Sequence, residues 1–259
     1  MIGIFDSGIG GLTVVSAIMD TLPGYDITYF GDTARTPYGT KSFETVINYA
    51  LENTEFLLSK GADIIVMACN TASSVATEHL SKKYAVPIFE VITPAVELAV
   101  KTSKKKRIGI IGTRATINSG VYEKKIKAMS PDSSVYSNPC PLIVPLVEEG
   151  WLKNRETAMI VKKYIYPLKL KQIDTLILGC THYPVIRNVI SRKIGKRVNI
   201  IDSSVAVAER IKNFFENQPN MNLGKNGIAH FFVSDITEQF KKTAKVILKR
   251  DIDLKHVKI

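Results

Sequence analysis

The sequence has 259 residues, of which 45% are hydrophobic and 23% are charged, as in a soluble globular protein. No apolar run reaches the length of a membrane span, and MIGIF at the N-terminus leads directly into a predicted strand rather than a secretory leader. Three cysteines, an odd number without a CxxC pair, argue against a disulfide framework and against a zinc site. We therefore expect a cytoplasmic protein without a bound metal and without a membrane partner.

The net charge of +11 has two interpretations. It could mark a nucleic-acid-binding surface, but the lysines are spread along predicted helical faces and no aromatic-basic recognition motif is present. The run KTSKKKR at 101–107 is better explained as a solvated connection before a strand. A positive field would also speed the arrival of an anionic small substrate. This effect is compatible with either interpretation of the charge, and the solvated connection is the one we favour.

Hydrophobic patterns predict alternating strands and helices in the first part of the chain: strands at 2–5, 27–32, 64–67 and 88–91, and helices up to 22 and at 42–60, 72–84 and 93–102. The turn DSGIGG at 6–11 has glycines that let backbone amides approach an anion. It departs from the dinucleotide-binding fingerprint, because Thr13 replaces the third glycine and Asp6 would repel a pyrophosphate. Asp6 could instead hold a substrate ammonium group or adjust a neighbouring proton donor.

Two loops in the first part contain further candidates for binding. Pro37, Tyr38 and Gly39 form a predicted turn whose backbone amides could face a ligand. Cys69, Asn70 and Thr71 follow the strand at 64–67 and precede a helix. After the next strand, Thr93 is the predicted cap and Pro94 the first-turn residue of the following helix.

The second part continues the alternation, with strands at 107–111, 175–178, 198–202 and 230–235, and helices at 155–170, from 185, from 204 to before 219, and at 236–248. Thr113 and Thr116 follow the first of these strands and could bind a polar ligand or cap a helix at Asn118. The stretch at 139–151 is a predicted loop broken by prolines, with Cys140 in a structural role. Cys180 follows the strand in DTLILGCTHYP, where Thr181 could cap the next helix.

Matched strands recur at a nearly constant offset along the chain. Cys69 and Cys180 are 111 residues apart, Val86 and Val198 are 112 apart, and Ile2 and Ile108 are 106 apart. This predicts an α/β fold of two pseudo-symmetric, three-layer domains with mostly parallel sheets and an active site in the cleft between them. We place the first domain at 1–93 and 207–259 and the second at 94–206, because the last elements have no counterpart and would return to the first sheet.

Each cysteine lies where a parallel strand ends and a helix begins, which is where open α/β sheets bind ligands. Two thiols on opposite sides of one ligand can act as two bases on one carbon. One thiolate would remove a Cα proton while the opposing thiol protonates the other face. Because two thiolates would repel, the pair should share one proton at rest. Asp6 and His182 would then tune the nearest thiol, Cys69 and Cys180 respectively.

Six motifs, in order and spacing, resemble the bacterial glutamate racemases of the aspartate/glutamate racemase family: FDSGIGG, RTPYG, ACNTAS, IGTRAT, CPLIVPLVEEG and LGCTHYP. The resemblance implies an enzyme that interconverts L- and D-glutamate without a cofactor or metal, supplies D-glutamate for peptidoglycan, and often forms a homodimer. It implies that Cys69 acts on D-glutamate and Cys180 on L-glutamate, with Asp6, His182 and Glu148 as further catalytic residues. The implied substrate-binding residues are Asp6, Ser7, Pro37, Tyr38, Gly39, Cys69, Asn70, Thr71, Thr113, Thr116, Cys180, Thr181 and His182.

Two alternatives stay open at the level of sequence. An aspartate racemase would share the fold and both cysteines, because selectivity for side-chain length depends on the shape of the pocket. A non-catalytic protein that binds amino acids or anions, or one that associates with DNA, would account for the charge without the chemistry.

Overall fold

The computed structural model of the protein describes residues 1–218 and 223–259, so that part of the predicted loop at 219–227 lies outside the described residues. Within them, parallel strands form two separate sheets. The strands are β1 Ile2–Asp6, β2 Ile27–Gly31, β3 Ile64–Met67, β4 Ile88–Glu90, β5 Arg107–Gly112, β6 Ser134–Pro139, β7 Thr175–Gly179, β8 Asn199–Asp202, β9 Ala229–Val233 and β10 Leu254–His256. The helices are α1 Leu12–Thr21, α2 Phe43–Ser59, α3 Asn70–Lys83, α4 Ile92–Thr102, α5 Arg114–Asn118, α6 Val121–Met129, α7 Ile143–Glu148, α8 Arg155–Leu170, α9 Arg187–Ile194, α10 Ser203–Glu216 and α11 Glu238–Leu248.

The two sheets repeat one strand order. The first runs β10-β9-β2-β1-β3-β4 and the second β6-β5-β7-β8, so β2-β1-β3-β4 and β6-β5-β7-β8 correspond strand by strand. Every pairing in both sheets is parallel. The α/β fold class predicted from the matched strands is confirmed.

Strand alternation places apolar side chains on both faces of the first sheet. Ile64 and Val66 of β3 join a large core shared with the second sheet, whereas Ile65 and Met67 join a smaller core with residues of α2 and α3. Side chains of α1, α4 and α10 belong to the large core. Helices therefore cover both faces of the first sheet, and the two sheets are joined by one continuous apolar interior.

The last elements of the chain return to the first sheet, as their lack of counterparts predicted. β9 pairs with β2 through Ile27 and Ala229, and β10 adds to the outer edge of β9. The exact domain boundaries at 93/94 and 206/207 stay a prediction.

Three local predictions are corrected by the structure. The stretch at 139–151 contains the short helix α7 rather than loop alone. The helix after Cys180 begins with a 3₁₀ turn at Tyr183–Ile186. Thr181 does not cap this helix, because its hydroxyl donates a hydrogen bond to Asp6. Helix α4 begins at Ile92, where the carboxylate of Glu90 accepts bonds from the amides of Ile92 and Thr93, in place of a cap by Thr93.

In the described part of the chain, none of the helices combines the length and the apolar character needed to span a bilayer.

Candidate active site

The site lies where the central strands of both sheets end. Asp6 is the last residue of β1, and Cys69 follows β3 by two residues at the start of α3. In the second sheet, Thr113 directly follows β5 and Cys180 directly follows β7. In each sheet these two neighbouring strands form the topological switch point, from which the chain continues in opposite directions. Polar groups at the carboxyl ends of such strands converge on one crevice.

One narrow pocket receives side chains from both sets of strand ends. It brings together eleven of the thirteen residues expected to bind substrate, and one further residue, Val144 of α7, that the sequence did not single out. The lining residues are Ser7, Pro37, Tyr38, Gly39, Cys69, Asn70, Thr71, Thr113, Val144, Cys180, Thr181 and His182. The expected residues outside the lining, Asp6 and Thr116, are hydrogen-bonded to residues within it.

The thiol of Cys69 lies in the half of the pocket that the first sheet provides. Its Sγ donates to Oγ of Ser7 at 3.8 Å. Burial, and next to it the negative charge of Asp6, raise the pKa of Cys69 to about 12 against smaller opposing effects of the Ala72 amide and the Ser7 hydroxyl. Cys69 is therefore a protonated thiol at neutral pH.

The thiol of Cys180 faces a charged pair instead. Its Sγ lies 3.8 Å from Nδ1 of His182, whose Nε2 lies 2.6 Å from Oε1 of Glu148. Burial lowers the pKa of His182, but hydrogen bonds to Cys180 and Glu148 and their negative charges outweigh it, so that the pKa is raised well above its usual value. The imidazole is thus protonated at neutral pH and presents a positive charge to Sγ of Cys180.

Asp6 connects the two halves of the site. Its fully buried carboxylate accepts hydrogen bonds from the amides of Gly8 and Gly11, each at 3.0 Å, and from the hydroxyl of Thr181 at 3.2 Å. Burial raises the pKa of Asp6, and the positive charge of His182 opposes this. The anion that the amides of the DSGIGG turn bind is therefore the side chain of Asp6, which acts on Cys69 through its charge.

Hydroxyl groups from both halves meet at another wall of the pocket. Oγ1 of Thr71 lies 2.9 Å from that of Thr113 and 3.3 Å from that of Thr116, and the latter two are 3.0 Å apart. Thr113 also caps α5, as its position predicted, by accepting from the amide of Thr116. The three hydroxyls can rearrange their shared hydrogens to donate toward an anion.

Asn70 supplies an acceptor in the same pocket. Its Nδ2 donates to the hydroxyl of Tyr122 at 2.8 Å, which fixes the orientation of the amide. Its Oδ1 is buried and has no hydrogen-bond partner among the described residues. A buried, unpaired amide oxygen costs stability unless a ligand donates to it.

Two glycines of the DSGIGG turn allow the halves to approach closely. A Cβ at Gly10 would lie 2.4 Å from Oγ1 of Thr181 and 2.5 Å from Nδ1 of His182. A Cβ at Gly8 would lie 2.8 Å from Oε1 of Glu148. Gly10 is thus required where the first half meets the backbone of His182, 2.8 Å from an added Cβ, whereas the flexible end of Glu148 could move away from a Cβ at Gly8.

Comparison with known proteins agrees with this arrangement. The Asp/Glu/Hydantoin racemase family model matches residues 12–211. A glutamate racemase from Persephonella marina is 49% identical over 258 residues, covering 100% of this chain and 97% of the relative.

Two solved structures have the same fold over nearly the whole chain. A glutamate racemase isoform from Bacillus anthracis superposes with a TM-score of 0.94 at 36% identity, covering 100% of this chain and 97% of the other. A glutamate racemase from Francisella tularensis, solved with D-glutamate, gives 0.92 at 38% identity, covering 99% and 97%. The family match and these full-length similarities confirm the resemblance seen in the motifs: the chain belongs to the Asp/Glu/Hydantoin racemase family.

Proposed function

We propose that the protein is a glutamate racemase that works without a cofactor, with Cys69 and Cys180 as its two bases. The observation that carries the proposal is the convergence of two thiols, from equivalent strand ends of two similar sheets, on one pocket. The names of relatives up to 49% identical over the full length support the same substrate.

The two thiols have different neighbours, and this suggests how the reaction begins. The raised pKa of Cys69 keeps it protonated, whereas protonated His182 stabilises negative charge on Sγ of Cys180. The thiolate of Cys180 takes the Cα proton of L-glutamate, and the C–H electron pair stays on Cα, delocalised into the α-carboxylate. The Cys69 thiol then gives its proton to the opposite face of Cα, which yields D-glutamate.

After one turnover the two cysteines have exchanged protonation states, with a thiol at Cys180 and a thiolate at Cys69. The enzyme in this state is prepared to convert D-glutamate back to L-glutamate. Return to the resting state requires one proton to pass between the thiols, through solvent or through a reverse turnover. Asp6 on the first side and His182 with Glu148 on the second are the groups that adjust each thiol.

The polar groups of the pocket suggest how an amino acid is oriented. The unpaired Oδ1 of Asn70 can accept from the substrate ammonium group. The hydroxyls of Thr71, Thr113 and Thr116 can donate to a carboxylate. Binding the α-carboxylate by preorganised donors also stabilises the charge that develops on it when the Cα proton leaves. This would lower the barrier beyond the contribution of each acid or base, which is typically about 10²–10⁴-fold.

Enzymatic assay separates the proposed substrate from its alternatives. Purified protein, treated with EDTA and given no cofactor, should convert L-glutamate to D-glutamate in a circular dichroism assay and should act far less on L-aspartate. A preference for aspartate would assign the protein to the sister activity. Binding of either amino acid without any change in optical rotation would favour a non-catalytic binding protein.

The cellular setting is part of the same proposal. D-Glutamate made by this reaction would supply peptidoglycan synthesis in the cytoplasm. We also propose a homodimer and the division into domains at 1–93 with 207–259 and at 94–206. Sedimentation and limited proteolysis, respectively, would test these two assignments.

A further inference from the structure

A network of polar side chains adjoins the Pro37–Gly39 turn and takes no part in the proton transfers described above. Its centre is Asp32, which directly follows β2 and is fully buried. The carboxylate accepts from Nε of Arg35 at 2.7 Å, from Oγ of Ser234 at 3.1 Å, and from the hydroxyl of Tyr38. Tyr38 is the one of these partners that lines the pocket.

The hydroxyl of Tyr38 is fixed from a second direction. It accepts from Nδ2 of Asn53 at 3.0 Å, and the side-chain Oδ1 of Asn53 accepts from Arg35 at 3.1 Å. The guanidinium of Arg35 also lies 4.0 Å from the ring centre of Tyr49. The hydroxyl of Tyr38 therefore donates its hydrogen to Asp32, and Asn53 of α2 helps to hold the ring in place.

The same carboxylate is linked to the returning end of the chain. Ser234 directly follows β9 and also accepts from the amide of Ala34 at 2.9 Å. The backbone amide of Asp32 donates to the carbonyl of Asp6 at 2.9 Å. Asp32 thus joins the end of β2, the end of β9 and the pocket turn at one point.

The turn that Asp32 holds has little freedom to move without changing the pocket. A Cβ at Gly39 would lie 2.5 Å from Cβ of Thr113, so the backbone of the turn packs directly against the hydroxyl cluster of the other half. A small displacement of Tyr38 would therefore alter the wall that faces the substrate.

We propose that Asp32 is a positioning residue for the racemase reaction: its buried carboxylate holds the Tyr38 hydroxyl and so fixes the Pro37–Gly39 turn against the second half of the pocket. The inference rests on the proposed function and adds a residue that does not touch substrate. It predicts that Asp32 acts on substrate binding through Tyr38. The proton transfers at Cys69 and Cys180 should be little affected when Asp32 is changed.

A double-mutant cycle tests this coupling. Asp32→Asn, Tyr38→Phe and the double variant are compared for kcat, KM and melting temperature in the full-length protein, with L-glutamate as substrate. Each single change should raise KM by about tenfold, the scale of one hydrogen bond to a charged group, with kcat within about threefold. The double variant should show no larger KM than the worse single variant.

Asp174→Asn is the matched control, because Asp174 is also a buried carboxylate at a strand and accepts from Ser103 and Lys105. It should lower the melting temperature without raising KM. If Asp32→Asn behaves in the same way, or if its effect on KM multiplies with that of Tyr38→Phe, the positioning role is wrong.

Ser234→Ala keeps the test decisive if Asp32→Asn does not fold, since it removes one partner of the carboxylate and leaves Tyr38 intact. We expect a smaller rise in KM that is absent in the Tyr38→Phe background, and an unchanged KM would overturn the inference. Absence of racemisation in the unmodified protein would instead contradict the proposed function.

Discussion

Nε2 of His182 and Oε1 of Glu148 lie 2.6 Å apart, with the histidine almost completely buried and Glu148 about one quarter exposed. The pair gives the site its asymmetry, because it places a positive charge beside Cys180, while Cys69 interacts with the Ser7 hydroxyl, the Ala72 amide and the negative charge of Asp6.

Replacing Glu148 by glutamine should lower the pKa of His182, because the imidazolium loses a negatively charged partner. Because folding raises the pKa of His182 above its usual 6.5, its contribution to stability is complete below pH 6.5 and is lost as the pH rises through the folded-state value. In Glu148→Gln the stability contributed by His182 should be lost at a lower pH, and the alkaline fall of kcat/KM should also begin at a lower pH. We expect kcat to fall by roughly 10- to 100-fold. Urea unfolding and kinetics between pH 6 and 10 measure both.

The neighbouring carboxylate offers a control for that substitution. Glu149 is exposed and has a similar charge, so Glu149→Gln should leave both pH profiles unchanged. Identical profiles for Glu148→Gln and the unmodified protein would show that the pair does not set the charge of His182. Because the two enantiomers have equal free energy, kcat/KM must change equally in both directions.

The two thiols should differ in their rates of alkylation. Their exposure is nearly equal, 5% for Cys69 and 6% for Cys180, so access does not separate them. The thiolate is the reactive form, and the pKa of about 12 leaves Cys69 protonated. Iodoacetamide at pH 7.5, followed by peptide mass spectrometry, should therefore modify Cys180 first. Fully buried Cys140 serves as the unreactive reference; faster modification of Cys69 would refute the asymmetry.

A methyl group at Gly10 should disrupt the site by displacing His182 and Thr181, which a Cβ would approach to 2.5 Å and 2.4 Å. We expect Gly10→Ala to lose about 1–3 kcal/mol of stability, as overpacking typically does, and to reduce kcat by at least about 100-fold. Gly24→Ala is the control, since its φ of +88° strains the backbone while nothing lies within 4 Å of the added Cβ. It should be destabilised with normal kcat; equal activity of both variants would contradict the packing argument.

The hydroxyl cluster should act on substrate binding. Thr113→Val keeps the shape of the side chain and removes both the cap of α5 and one donor of the cluster. We expect a stability loss of about 1 kcal/mol and a rise in KM of about tenfold. Thr237→Val removes the equivalent cap of α11 and should show the stability loss with an unchanged KM. A normal KM in Thr113→Val would exclude the cluster from substrate binding.

The sequence predicted best the parts of the molecule where several physical signals agree. The strands before Cys69 and Cys180 are short buried apolar runs followed by polar residues and a helix, and both occur as predicted. The lack of counterparts for the last elements also predicted that β9 would return to the first sheet. These features depend on local pattern and on chain order, which a sequence contains directly.

Other features depend on contacts between distant residues. Strand β6 has the sequence SVYSNP and is only partly buried at one edge of its sheet, so it lacks an apolar alternation. Thr181 is a residue type that often caps helices, but its hydroxyl donates to the carboxylate of Asp6 from the other half of the site. Val144 lines the pocket, yet an apolar residue in a proline-containing stretch gives no chemical signal. These features are determined by tertiary contacts, which local sequence patterns do not reveal.

The central claim is that one thiol serves each face of Cα. Its most direct test is deuterium exchange in D₂O, with Cys69→Ser and Cys180→Ser examined separately on each enantiomer of glutamate. Each variant should lose racemisation. Any residual exchange at Cα should be limited to L-glutamate when only Cys180 is present and to D-glutamate when only Cys69 is present. Full racemisation by either variant, or exchange of both enantiomers by one remaining thiol, would contradict the two-base account.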